Sequence, residues 1–243
     1  MNCKIVGYDF KTLEIMLSPG EDFYGEAGSM VYIEDGIERS LDVVKVKKTF
    51  ARYFSGESIF IIHYKNTSEV PKKILLSGGM VGLHPIKAKK GAPILLRCGG
   101  YVASTNKVDI GLRIQGFGLK SGMSFQRVEG DATIFVETAG TPFDLDLKLG
   151  EKIEVDENHI IALHDYESHS ITSKWHIRNL FHGEGLSTNF IEGPCKITLS
   201  PSPLPNAKDH ISNAIGCLYT IIFLAVIYAV LFGAILGLKY LFS

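Results

Sequence analysis

A chain of 243 residues with 46% hydrophobic side chains carries enough apolar material for one large β domain or two small ones. Its formal net charge of −1 excludes an overall electrostatic pull toward nucleic acid or an anionic surface. Four scattered cysteines, Cys3, Cys98, Cys195 and Cys217, exclude a disulfide framework or a zinc knuckle and fit a reducing compartment.

The N-terminal stretch MNCKIVGYDFKTLEIML has neither the apolar core of a secretory signal nor the Arg-rich amphipathic pattern of a transit peptide. Short segments rich in Val, Ile, Tyr and Phe then follow one another: EIML, SMVYIE, SIFIIHY, KKILLS, APILLR, GYVAS, ATIFVET, DLDLKL, HIIALHD and KITLS. Gly, Pro, Asn and Asp punctuate them, and no long stretch of period 3.6 intervenes apart from a weak helical possibility in SKWHIRNLF. The pattern predicts an all-β domain over residues 1–199.

Within it, one spacing recurs. Aligning Gly20, Gly91 and Gly150 brings Phe23, Ile94 and Ile153 into register, then Gly28, Gly99 and Asn158, then Met30, Tyr101 and Ile160, then Val31, Val102 and Ile161. Glycine or asparagine is what a left-handed turn accepts, so each unit reads as strand, tight turn, strand. Three such units predict internal repeats around a pseudo-threefold axis.

Pro201, Pro203 and Pro205 then disfavour helix and sheet and predict an extended, semi-rigid linker over residues 200–212. Beyond it, residues 211–238 carry no charge, and residues 215–238 are nearly all apolar. That run reaches about 36 Å as a helix, enough to cross a hydrocarbon core of about 30 Å with some tilt. A transmembrane helix is expected over residues 213–240. With this span last in the sequence and no signal ahead of it, the chain reads as tail-anchored and single-pass, its N-terminal domain on the cytosolic side. Ala225, Ala229, Gly233 and Gly237 recur every four residues along one face, which predicts close pairing with a second copy.

The charge is unevenly placed. Between residues 39 and 107 thirteen Lys and Arg stand against three acids. Two clusters, Lys45, Lys47 and Lys48 in VVKVKKTFAR and Lys87, Lys89 and Lys90 in HPIKAKKGA, form a candidate basic surface for anionic headgroups or an acidic partner. Catalytic motifs fail one by one. His159, His164 and His169 are spaced by five, which alternates faces along a strand and argues against a metal site. GFGLKSG lacks the glycines of both a phosphate loop and a dinucleotide fold. No GxSxG elbow is present, and Cys98 sits in the apolar run ILLRCGGYV as a small packing residue. No catalytic, cofactor-binding or metal-binding residue is assigned.

The segments LSPGEDFYGEAGSMVYIEDGI, FSGESIF, GGYVASTNKVDI, VEGDATIFVETAG, LGEKIEVDENHIIAL and GEGLSTNFIEGPCKITL, taken in order, resemble the mitochondrial-biogenesis family named for altered inheritance of mitochondria. The resemblance implies a β-sandwich, a short relative of the double-stranded β-helix, grouped with tryptophan-RNA-binding-attenuator-like domains. It also implies a largely uncharacterised function, with a fungal member linked to inner-membrane organisation in mitochondria. The C-terminal span and missing transit peptide shift the expected location to a prokaryotic cell membrane in preference to the mitochondrial inner membrane. The expectation is a tail-anchored, non-enzymatic, homo-oligomeric scaffold or interaction platform. Its expected partners are the lipid bilayer, anionic lipids and other membrane proteins, with no nucleic acid and no cofactor. The alternative is a tethered β domain that binds or turns over a small ligand.

Overall fold

The computed structural model describes residues 1–43, 60–78, 82–115, 123–166, 171–175 and 187–204. Its strands run in chain order β1 (Asn2–Val6), β2 (Thr12–Leu17), β3 (Asp22–Glu26), β4 (Met30–Ile33), β5 (Ile37–Val43), β6 (Phe60–Asn66), β7 (Lys72–Ser77), β8 (Gly82–Ala88), β9 (Ile94–Arg97) and β10 (Tyr101–Ser104). They continue as β11 (Asp109–Gln115), β12 (Met123–Glu129), β13 (Ala132–Thr138), β14 (Phe143–Leu147), β15 (Lys152–Val155), β16 (Ile160–His164), β17 (Ile171–Trp175), β18 (Ser187–Glu192) and β19 (Cys195–Leu199). A single 3-10 turn, Glu157–His159, is the one helical element among the described residues. The fold is all-β, as the alternating segments predict; the first three residues of SKWHIRNLF end β17 at Trp175, and residues 176–181 lie outside the described residues.

Four antiparallel sheets result. Their orders are β1-β2-β7-β4, β5-β6-β3-β10-β13-β8, β11-β12-β9-β16-β19-β14 and β15-β18-β17. Three apolar cores lie between them in sequence, so the two six-stranded sheets are covered on both faces. In β13, Ile134 and Val136 enter the middle core while Phe135 enters the first. In β16, where a bulge between Ile160 and Ala162 interrupts the alternation, Ile161 and Ala162 face the middle core while Ile160 and Leu163 face the third. The pleat sends neighbours to opposite faces, so a strand with two dry faces needs an unbroken apolar run. The outer strand β2 needs only every second residue: Leu13, Ile15 and Leu17 are buried, while Glu14 turns outward to Lys73 at 3.0 Å.

Two polar side chains are built into this interior. Asn66 is fully buried; its amide donates to the carbonyls of Leu17 and Val70, both at 2.9 Å, and its oxygen accepts from the Ser68 amide and hydroxyl. Tyr101 donates to Ser104 Oγ at 2.8 Å, which donates on to the Asn106 carbonyl at 2.7 Å. The packed body continues past Leu199. Ser200 Oγ accepts from the Ala139 amide and donates to its carbonyl, and Leu204 is buried in the middle core.

The turn glycines largely adopt the predicted conformation. Gly20, Gly91 and Gly150 have φ of 78°, 80° and 83°, and Gly28 and Gly99 have 96° and 72°. Asn158, aligned with the last two, differs: it lies in the 3-10 turn, and Asp165 is the non-glycine residue with positive φ among those described. The physical reason is local hydrogen bonding. Asp156 Oδ1 accepts from the Asn158 amide at 2.9 Å, and the Asp156 carbonyl accepts from His159 N at 3.1 Å, which closes a right-handed turn.

Candidate functional site

The first candidate is a surface. On β4, whose sole strand partner among the described residues is β7, Met30, Val31 and Tyr32 are 39%, 52% and 41% exposed. Leu41 on β5, 53% exposed, continues the apolar patch, and Arg39 Nη1 lies 3.5 Å from the Met30 sulfur across the two strands. A groove of about 470 Å³ runs between them, with Ile62 and Tyr64 on its wall. An edge strand with unpaired backbone groups and three exposed apolar side chains is the arrangement that natural sheets ordinarily blunt with charge or proline.

The second candidate is a polar cleft of about 350 Å³ where β8, the edge of one central sheet, meets β14, β16 and β19 of the other. Asp144 anchors it. Lys196 Nζ donates to Asp144 Oδ2 at 2.7 Å and Thr198 Oγ1 to Oδ1 at 2.7 Å. Burial works against the charged form of Asp144, but these two hydrogen bonds outweigh it and hold the carboxyl below its ordinary range. His164 Nε2 stands 3.1 Å from Thr198 Oγ1. An ionised carboxylate only accepts, so the Thr198 hydroxyl proton points to Asp144 and its oxygen accepts from His164. The neutral His164 ring therefore carries its proton on Nε2 and leaves Nδ1 as its acceptor. Burial, then Lys196, pulls the His164 pKa below the ordinary histidine value, against Asp144 and Asp165. Burial likewise lowers His84, with Asp144 opposing and Lys11 assisting.

A third grouping crosses the face of a central sheet. His63 donates from Nε2 to Asp22 Oδ1 at 2.8 Å, and Ser40 Oγ lies 3.3 Å from Nδ1. The order mimics an acyl-transfer triad. Ser40, however, is exposed, and the ring is stacked under Tyr24 at 4.9 Å, so the three read as a polar ladder joining β3, β6 and β5.

Of the residues marked in the sequence, Lys87 and Lys89 line the polar cleft, while Lys90 sits in the following turn, its amide donating to Asp131 Oδ1 at 3.0 Å. Lys45, Lys47 and Lys48 lie outside the described residues, as do Ala225, Ala229, Gly233 and Gly237. Among the described residues no helix is long and apolar enough to cross a membrane, and residues 213–240 fall outside that set. His159 and His164 sit at opposite ends of β16; His159 donates from Nδ1 to the Ser200 carbonyl at 2.8 Å. His169 lies outside the described residues. Among the described residues no three His, Cys, Asp or Glu side chains are placed to hold a metal ion. Sequence reasoning missed His84, Asp144, Lys196 and Thr198; the one signal was the alternation in KITL, which sends Lys196 and Thr198 to one face of β19.

These features define a layered, antiparallel, all-β protein with an open apolar edge and a polar intersheet cleft. Residues 3–202 match the family model described as Mitochondrial biogenesis AIM24, and the chain belongs to that family. No curated protein matches. A Streptococcus pyogenes protein of known crystal structure is similar in fold, with a TM-score of 0.60 and 19% identity over 90% of this chain and 99% of that one. At that identity the likeness concerns the fold alone.

Proposed function

We propose that this protein is a tail-anchored interaction platform whose β body works by contact, above all with copies of itself, and not by turnover. The observation that carries the reading is the β4 edge, where Met30, Val31 and Tyr32 are exposed beside a strand side with no partner among the described residues. Leaving such a strand unprotected costs solubility unless another chain covers it.

The strand orders support a pseudo-threefold reading of the body. In the two six-stranded sheets β6-β3-β10-β13 corresponds to β12-β9-β16-β19, with β8 and β14 as matching edges. Setting β17-β18-β15 beside β4-β7-β2 gives a third sheet of the same order, in which the counterpart of the β3–β10 and β9–β16 junctions is a β15–β4 seam. Gly20, Gly91 and Gly150 precede β3, β9 and β15, as the sequence spacing requires. Among the described residues β15 pairs only with β18 and β4 only with β7, and the two lie in different sheets, so within one chain both stand as edges. The seam would close between copies, β15 of one against β4 of the next. Pairing of the C-terminal spans through Ala225, Ala229, Gly233 and Gly237 would add a second contact in lipid, and the body would face the cytosol of a prokaryotic cell.

Static light scattering on the full chain in mild detergent tests the reading. Val31→Lys, which puts a charge on the edge, is expected to lower the oligomer mass, and Gly233→Leu with Gly237→Leu to lower it further. Wild-type mass in Val31→Lys, or a monomeric wild type, would overturn it.

A further inference from the structure

The polar cleft between the central sheets is not used by the assembly reading. We propose that it is a binding site for a small organic phosphate, its dianion held by Lys87, Lys89 and Lys196 and its organic part lying against Ile86 and Pro93.

The charge balance selects an anion. Three lysines line the cleft against two aspartates, and Lys11 acts on His84 from outside it. Asp144 is already committed on both oxygens, to Lys196 at 2.7 Å and Thr198 at 2.7 Å. Lys87 and Lys89 line the cleft from exposed positions, and among the described residues neither is in an ion pair. Lysine is a point charge with three donors, suited to a tetrahedral dianion approached from two sides, here from β8 and from β19. Three lysines against two aspartates leave one net positive charge, and a proton taken up by His164 supplies the second that a phosphate dianion balances.

Volume adds the organic part. About 350 Å³ is at the small end of ligand cavities but more than an inorganic anion fills. Pro85, Ile86, Ala92, Pro93 and Ile94 give the wall opposite the carboxylates an apolar character suited to a carbon skeleton.

The histidines make the site proton-linked. His164 is fixed by Thr198 and Asp144 with its proton on Nε2, which leaves Nδ1 free to take up a proton and donate it to a bound phosphoryl oxygen. Burial disfavours that charge, and a dianion facing His84 and His164 reverses the balance. The groups facing these rings are Lys87 and Lys89 from β8 and its turn, Asp144 from β14, Asp165 beside His164, Lys196 from β19, and Lys11. Binding is therefore expected to take up protons near neutral pH.

The test is calorimetric titration of inorganic phosphate into the full chain in mild detergent, at constant ionic strength and in two buffers of different ionisation enthalpy. Saturable binding with proton uptake is expected. Lys87→Glu with Lys89→Glu, two exposed positions whose variants should keep the wild-type circular dichroism, is expected to weaken it by roughly tenfold or more. His164→Gln is expected to bind with the proton uptake reduced. A second arm uses phosphatidylcholine vesicles with and without phosphatidic acid. Binding of free phosphate marks a soluble ligand, and retention on the phosphatidic acid vesicles alone marks a lipid headgroup; either supports the site when the lysine reversal abolishes it. Absence of both, or a response that Lys87→Glu with Lys89→Glu leaves unchanged, overturns the proposal. Neither result bears on the β4 edge, which lies in a different sheet.

Discussion

The central sheets and the strands at their rims obey different rules, although both are antiparallel β structure. In β9 and β16 nearly every side chain is buried, as is the central run of β13, because a core lies on each face. In β4, β14 and β15 one face or one edge meets water, and charges alternate with apolar groups or apolar groups stand exposed. Buried apolar packing is concentrated in the first set and exposed side chains in the second. Both candidate surfaces use rim strands: β4 supplies the open edge, and β8 and β14 bring the polar cleft together.

Five substitutions sharpen this contrast. The largest effect is expected from Leu163→Ala on β16, a fully buried side chain in the third core, at about 2–5 kcal/mol of unfolding free energy. The matched Leu145→Ala on the rim strand β14, where the side chain is 37% exposed, should cost less than about 1 kcal/mol. Chemical denaturation followed by circular dichroism compares them, and equal losses would dissolve the distinction between centre and rim.

Asn66→Ala comes next. It leaves the Leu17 and Val70 carbonyls and the Ser68 donors without their partner, at about 2–3 kcal/mol. The same denaturation series should show no change in the slope of free energy against denaturant, since the fold is retained.

Glu137 gives a smaller, pH-dependent effect from a half-buried position on β13. Burial pushes its carboxyl up from 4.5 to about 7, with Arg97 opposing. The native state therefore holds a proton that the unfolded chain releases, so this group's contribution is full below pH 4.5 and is lost as pH rises through 7. Relative to wild type, Glu137→Gln should gain about 1–3 kcal/mol between pH 4.5 and pH 8. A parallel pair of stability profiles would refute that environment for Glu137. The histidines of the cleft have the opposite sign: both pKa values are lowered by burial, so their contribution is present above the ordinary histidine value of 6.5 and fades as pH falls below it.

The smallest effect belongs to the outer rim. Lys152→Ala removes an exposed ion pair to Glu192 and should shift stability by no more than about 0.5 kcal/mol. A larger loss would make β15 more than a surface strand.

Sequence legibility follows the same division. KKILLS and ATIFVET coincide with β7 and β13 because dense apolar runs report burial directly. β3 is legible through the repeat spacing around Phe23 and not through its composition, because Gly25 stands in the strand for a tertiary reason: a Cβ there would meet Leu76 Cδ1 at 2.9 Å and Tyr64 Cε2 at 3.2 Å. β8 is hidden by Pro85, which is tolerated because among the described residues β8 is an edge that pairs only with β13. The cleft was less legible still. Lys87, Lys89 and His164 drew notice singly, but Asp144 and Thr198 join them only through the register of β14 on β19, where Asp144 faces Thr198. That pairing spans a sequence separation no local motif records.

The open β4 edge as a contact between copies is the central claim, and a photo-reactive benzoylphenylalanine in place of Tyr32, irradiated in native membranes, tests it most directly. The account predicts a cross-linked species of two copies whose joined peptides, read by mass spectrometry, pair Tyr32 with the region around β15. Cross-links confined within one chain, or none at all, would contradict it.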